Sequence, residues 1–274
     1  MGQSHIQGHA RGGRLNKLYP SVAALKADIQ CYKDILAVSQ GGSWWKRQHA
    51  LLVAGDASEC ADAAYTPGGE FAYPMVVSFT EQELALMASN QFSITLREIL
   101  CIHHLVQVLL EMDPASIQHN RLRYEIDSQA GWYNVMGMKG NETTFPIVKQ
   151  LLLLCAQSDV DLETVWRPRS DAHQQVADFW SKVEDSSDFK LNFQVYDELI
   201  SDPLLAGYKP VLDAFASSTN TKVAGSFYSK FYCPGSKGVD AMIHPWATSE
   251  ALGLAGLVFI NGPFSMMGAI ISKT

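Results

Sequence analysis

Apolar and polar residues alternate along this chain with two periods, and the switches between them mark the elements. Val22, Leu25, Ile29 and Ile35-Leu36 recur at helical spacing, and with Pro20 suited to a first turn they predict a helix over Tyr19 to Val38. Gly41-Gly42-Ser43 then breaks the chain. Leu51 to Ala57 reads as a buried strand built on the apolar run Leu51-Leu52-Val53-Ala54-Gly55. A weakly signalled strand is expected between Ala61 and Tyr65, and another in Tyr73-Pro74-Met75-Val76-Val77-Ser78-Phe79, after the turn Thr66-Pro67-Gly68-Gly69. Ser93 to Met112 returns to helical spacing, with Leu96, Ile99-Leu100, His103, Val106 and Leu110 on one face. Arg121 to Ile126 predicts strand, Phe145 to Gln157 helix, Leu162 to Trp166 strand and Asp171 to Val183 helix.

Three strands followed by helix, strand, helix, strand and helix predict a mixed α/β layer fold. Ser186 to Leu199 is polar and irregular, and a domain boundary is placed there. A second, smaller α/β pattern begins at Leu212-Asp213-Ala214-Phe215-Ala216-Ser217 and ends at Val258-Phe259-Ile260-Asn261-Gly262-Pro263-Phe264-Ser265.

Composition narrows the setting. The 274 residues are 47 % apolar and 18 % charged, ordinary for a globular protein. The longest apolar run, Leu151-Leu152-Leu153-Leu154-Cys155-Ala156, is far too short to span a bilayer, and Met1 to Gly13 has no apolar core of a secretory signal. No membrane association is expected. Five widely spaced cysteines without a C-x-x-C predict reduced thiols and an intracellular protein, cytoplasmic or nuclear. A formal charge of −7 argues against a free-standing nucleic-acid binder, because phosphate contacts supply most non-specific affinity. A neighbouring module would then supply substrate affinity.

Four carboxylates carry the candidate chemistry. Asp56 ends the first apolar run, Glu98 opens the long apolar helix, Asp127 ends the strand Leu122-Arg123-Tyr124-Glu125-Ile126, and Asp178 lies within Asp171 to Lys182. Gathered at one point they would bind two divalent cations, the arrangement used in phosphodiester hydrolysis. Each also has a plain alternative. Thr95-Leu96-Arg97-Glu98 fits a capping box, Asp127 could cap a helix starting at Ser128, Asp56 could end a strand at a turn, and Asp178 could be a solvated helix residue.

The stretches Val53-Ala54-Gly55-Asp56-Ala57-Ser58, Thr95-Leu96-Arg97-Glu98, Ile126-Asp127-Ser128-Gln129 and Ala177-Asp178-Phe179-Trp180-Ser181 resemble the D-A-S, x-R-E-L, T-D-N/S and A-D-x-L-S-R blocks of retroelement ribonuclease H domains. The resemblance, nearest to DIRS-type (tyrosine-recombinase) retrotransposons, runs from about Val22 to Lys182. It implies a ribonuclease H-like mixed five-stranded sheet flanked by helices. It also implies an RNA–DNA hybrid as substrate, two Mg²⁺ (or Mn²⁺) on Asp56, Glu98, Asp127 and Asp178, and a reverse transcriptase or larger assembly as partner. Residues 1–44 would be a tail and connection helix and residues 45–185 the nuclease domain. Two departures stand out: Ser58-Glu59-Cys60-Ala61-Asp62-Ala63 replaces an expected Gly-Trp-Gly-like stretch, and the loop before the last helix, Trp166 to His173, has no glycine.

Candidate substrate contacts are Ser128 and Gln129 for an RNA 2′-hydroxyl, Arg167 and Arg169 for phosphates, and His173 beside them, with Arg97, Lys139 and Lys182 as further cations. Residues 186–274 resemble the front part of a Dam-like adenine methyltransferase. Asp213 falls in that family's cofactor-side block, and Asn261, Pro263 and Phe264 in its N-P-P-Y/F block, with Gly262 in place of the first proline. The chain stops ten residues after Phe264, so S-adenosylmethionine is not expected to bind this segment. The main alternative to a nuclease is a catalytically idle, retroelement-derived interaction subunit of a larger assembly.

Overall fold

The computed structural model describes residues 22–39, 50–183, 190–205, 209–246 and 257–274. The N-terminal tail, the expected helix start at Tyr19, the Gly41-Gly42-Ser43 break and the boundary at Ser186 lie outside them. Helix α1 runs over Val22–Val38. Strand β1 (Ala50–Ala57) is followed by β2 (Ala61–Tyr65) and β3 (Met75–Ser78). Then come helices α2 (Glu81–Ala88), α3 (Ile94–Met112) and the single turn α4 (Pro114–Ile117). Strand β4 (Arg121–Ile126), helices α5 (Gln129–Met136) and α6 (Phe145–Gln157), strand β5 (Asp161–Trp166) and helix α7 (Ala172–Ser181) complete the first unit.

The sheet order is β3-β2-β1-β4-β5. Strand β1 pairs antiparallel with β2 and parallel with β4, β3 is antiparallel to β2, and β5 is parallel to β4. This is the expected mixed five-stranded sheet with helices around it. Its two faces differ in chemistry. Val53, Ala57, Leu122, Tyr124 and Ile126 join Ile99, Ile102 and Val106 of α3 and Val148 and Leu151 of α6 in the main core. Burying each large side chain there contributes on the order of 1.5–3 kcal/mol. Helix α7 packs on β1 and β2 and buries Ala177, while Ala54 and Ala63 of the two strands are fully buried. Small residues let this helix approach closely. Gly55 is fixed by the same packing, because a Cβ there would stand 1.9 Å from the Tyr124 hydroxyl.

The stretch read as irregular before residue 200 contains helix α8 (Phe193–Ile200), a correction: Asn192 caps it by accepting from the Gln194 amide at 2.7 Å. Strands β6 (Pro210–Asp213), β7 (Phe227–Ser229), β8 (Ser236–Val239) and β9 (Leu257–Phe259) form a second, parallel sheet in the order β8-β7-β6-β9. Helix α9 (Met267–Lys273) follows, and Ile270 packs with Leu212, Tyr228 and Trp246. The second unit covers the β3 edge. The Val76 amide donates to the Tyr232 carbonyl at 3.0 Å and the Tyr232 amide to the Pro74 carbonyl at 3.1 Å. Ala216, Phe227 and Cys233 extend the main core. No helix among the described residues is long and apolar enough to cross a membrane. All five cysteines are free thiols.

Candidate metal centre

Strands β1 and β4 lie side by side and parallel, with Asp56 near the end of one and Asp127 directly after the other. The carboxyl ends of adjacent parallel strands are where open sheets place ligands. Glu98 reaches the same point from α3. Oxygens of Asp56, Glu98 and Asp127 all lie within 4.8 Å of one another.

Local structure removes two plain readings. Helix α3 starts at Ile94, and its N-cap is Ser93, whose hydroxyl accepts from the Leu96 amide at 3.3 Å. Thr95 is therefore inside the helix, and Glu98 is not part of a capping box. Likewise Ser128, not Asp127, caps α5, accepting from the Gly131 amide at 3.0 Å. Both acids are left to face the cluster.

The cluster is strained electrostatically. Glu98 is 0 % exposed, and neither carboxylate oxygen has a hydrogen-bond partner of good geometry. Burial pushes its carboxyl well above the ordinary range, the charges of Asp56, Asp127 and Asp62 add to this, and only the Ala57 amide opposes it. Burial also raises the Asp56 carboxyl, against the Ser181 hydroxyl, which donates to it at 2.7 Å. Ser58 in turn donates to the Ser181 carbonyl at 2.6 Å, so Asp56 is held by a two-serine chain from its own turn and from α7.

Asp178 on α7 lines the same cleft, of about 430 Å³, but is not within the three-acid cluster. Lys182 Nζ lies 2.6 Å from each of its oxygens. Arg169 Nε donates to Asp127 at 2.8 Å, and its Nη2 is 3.9 Å from Asp56. Arg97 also lines the cleft and donates to the Ser58 carbonyl. The fit to a divalent cation rests on the donor set. Three hard oxygen ligands converge, one of them buried and unpartnered, as Mg²⁺ sites require.

The remaining sequence candidates scatter. Arg167 and His173 lie together on Glu125, on the α7 side of the sheet. Ser128 and the exposed Gln129 stand at the start of α5, next to Asp127. Lys139 donates to the Tyr133 hydroxyl at 3.0 Å and lies over that ring, on the exposed end of α5. In the second unit Asp213 is buried and accepts from the Lys222 amide at 2.9 Å. Asn261 and Pro263 line a cavity of about 390 Å³ between the units, whereas Phe264 is 79 % exposed and is not among the lining residues. Gly262 packs close to the second unit's core: a Cβ there would meet the Ile270 terminal methyl at 2.4 Å.

Sequence reasoning passed over Glu125, Asp62 and Ser181. Asp62 is fully buried on β2, 2.8 Å from His104 Nδ1 of α3, and burial raises its carboxyl to about 6. An acid inside an alanine-rich strand was the available signal. Glu125, Asp171 and His173 also have ligand atoms within 4.8 Å of one another, but Arg167 already occupies a Glu125 oxygen. Compared with known protein families and with curated proteins, the sequence matches none.

Proposed function

We propose that this chain is a two-metal ribonuclease H of retroelement origin, hydrolysing the RNA strand of RNA–DNA hybrids. The observation that carries the reading is Glu98: a buried carboxylate with no hydrogen-bond partner of good geometry, beside Asp56 and Asp127 where two parallel strands end. Ionised, an acid so placed costs several kcal/mol of desolvation, which a proton or a cation must offset.

Asp56, Glu98 and Asp127 would hold one Mg²⁺, and Asp56 with Asp178 at the rim would hold the second. Bound there, the ions supply an activated water and stabilise the leaving oxygen. The chain's own residues do the rest. Ser181 fixes the Asp56 carboxylate, and Trp166 Nε1, donating to the Asp127 carbonyl at 3.0 Å, fixes the backbone that presents Asp127. Arg169 and Lys182, which now pair with Asp127 and Asp178, would become available for phosphates once those acids held metal. The Ser128 hydroxyl already accepts from Gly131, so its own hydrogen is left to donate to a 2′-hydroxyl.

A second reading, an idle interaction subunit, has one observation in its favour. Arg169 and Lys182 neutralise Asp127 and Asp178 within the protein itself. Metal binding separates the two. Calorimetric titration with Mg²⁺ should show binding by the parent chain and none by Asp127→Asn; no binding by the parent favours the idle subunit. To the second unit we assign no cofactor. Its clearest role is to cover the β3 edge.

A further inference from the structure

The α7 side of β4 carries an acid that the metal centre does not use. Glu125 lies next to the end of β4, two residues before Asp127, which follows the strand. It is 2 % exposed. Its two oxygens are shared between basic side chains from different elements. Arg167 Nε donates to Oε1 at 2.9 Å, and His173 Nδ1 lies 2.7 Å from Oε2. One residue comes from the loop after β5 and the other from the first turn of α7. The buried carboxylate is what brings them together.

How each is held decides the reading. Carboxylate–arginine pairs are frequently bidentate through the fork of the guanidinium. Here Glu125 takes Arg167 only through Nε. Both Nη atoms lack a partner among the described residues, and the side chain is 40 % exposed. A carboxylate on Nδ1 likewise fixes the His173 ring with Nε2 turned away from Glu125, and that side chain is also 40 % exposed. Asp171, the nearest other acid, is engaged as the α7 cap, accepting from the His173 amide at 2.9 Å. One buried acid therefore leaves the Arg167 Nη donors and the His173 Nε2, a donor when the imidazole carries both protons, facing outward beside the first turn of a ten-residue helix. Several N–H donors converging from two sides suit a tetrahedral anion.

We infer that Glu125 is a positioning residue that sets Arg167 and His173 as a two-point grip for a backbone phosphate of the substrate beside the acid cluster. The inference rests on the nuclease reading. Glu125 touches no substrate; it acts through its two partners.

The test is fluorescence anisotropy of a labelled RNA–DNA hybrid in Ca²⁺ across a salt series, with steady-state cleavage in Mg²⁺. The proteins are the parent, Glu125→Ala, Glu125→Gln, Arg167→Ala and the double variant Glu125→Ala/Arg167→Ala. Glu125→Ala is expected to weaken hybrid binding about tenfold and to lower the salt slope by about one to two, as lost phosphate contacts do. The loss should fall on KM rather than kcat. Glu125→Gln should be intermediate, and Arg167→Ala should add little to Glu125→Ala, because both remove the same grip. An unchanged salt slope and KM in a folded Glu125→Ala, with only its melting temperature lowered, overturns the inference; a parent that still cleaves then leaves the nuclease reading standing. A parent that neither binds nor cleaves the hybrid overturns both. Should Glu125→Ala fail to fold, Glu125→Gln and Arg167→Ala decide by the same readouts.

Discussion

At the scale of single residues, buried acids decide the behaviour of this molecule. Glu98 has its carboxyl raised by burial and by its acidic neighbours, so its folded-state pKa lies above its unfolded one. Its contribution to stability is present at low pH and lost as pH rises through the folded value. On the proposed reading a divalent cation would replace the proton, so Mg²⁺ should stabilise the protein more as pH increases. Glu98→Gln should leave the metal-free melting temperature within about 2 °C at low pH and abolish the Mg²⁺-dependent gain. Thermal melts with and without Mg²⁺ check both. Asp62 gives a second test. Burial lifts its carboxyl from the ordinary 3.8 to about 6, so it favours folding below about pH 4 and loses that advantage as pH rises through 6. Asp62→Asn should therefore be more stable than the parent at pH 7.5, by up to about 3 kcal/mol, and the gap should shrink towards pH 4.5. Denaturant melts at the two pH values measure it. These roles were partly legible. Asp56, Glu98 and Asp127 could be named from residue type and placement. Their alternative roles as caps could not be dismissed until Ser93 and Ser128 were seen to do that work.

At the scale of elements, patterning predicted the long pieces and missed the short ones. The strands β1 and β4 and the helices α3, α6 and α7 follow their apolar periods to within a few residues. Helix α2 was missed although its signal is in the sequence: Thr80 and Glu83 form a capping box, with the Thr80 amide 2.7 Å from Glu83 Oε2. The same motif at Thr95 is false, because Ser93 lies two residues nearer the true start. Helix α8 buries Tyr196 and leaves Phe193, Val195 and Leu199 exposed, although Phe193, Tyr196 and Ile200 recur at helical spacing. Strand β2, Ala-Asp-Ala-Ala-Tyr, has little intrinsic strand preference; pairing with β1 and β3 on either side makes it one. Helix α7 carries a weakness of its own. Gln174 is 1 % exposed, and neither atom of its amide has a partner among the described residues. Replacing it with leucine removes an unsatisfied group and keeps the volume. Gln174→Leu should raise stability by about 1 kcal/mol, read as a shift of a few degrees in melting temperature. A decrease would show that the amide is satisfied in solution.

At the scale of the whole molecule, two sheets meet at one edge and the acids collect at another. Tyr232 pairs with β3, Phe71 meets its ring edge-on, and Trp180 of α7 meets Phe231, so the second unit closes a strand edge that would otherwise invite another chain. The sequence indicated a second unit but gave no sign of this pairing, because one backbone bridge has no side-chain pattern. The net charge of −7 is concentrated in part at the metal centre, where bound cations would offset it. Nuclease chemistry at the acid cluster makes a definite demand on hydrolysis. A labelled RNA–DNA hybrid should be cut in its RNA strand by the parent chain with Mg²⁺ or Mn²⁺. The DNA strand should stay whole, and Asp127→Asn should lose at least about a hundredfold of the rate. A folded parent that leaves the hybrid intact, or an Asp127→Asn variant that cuts as fast as the parent, would contradict the account.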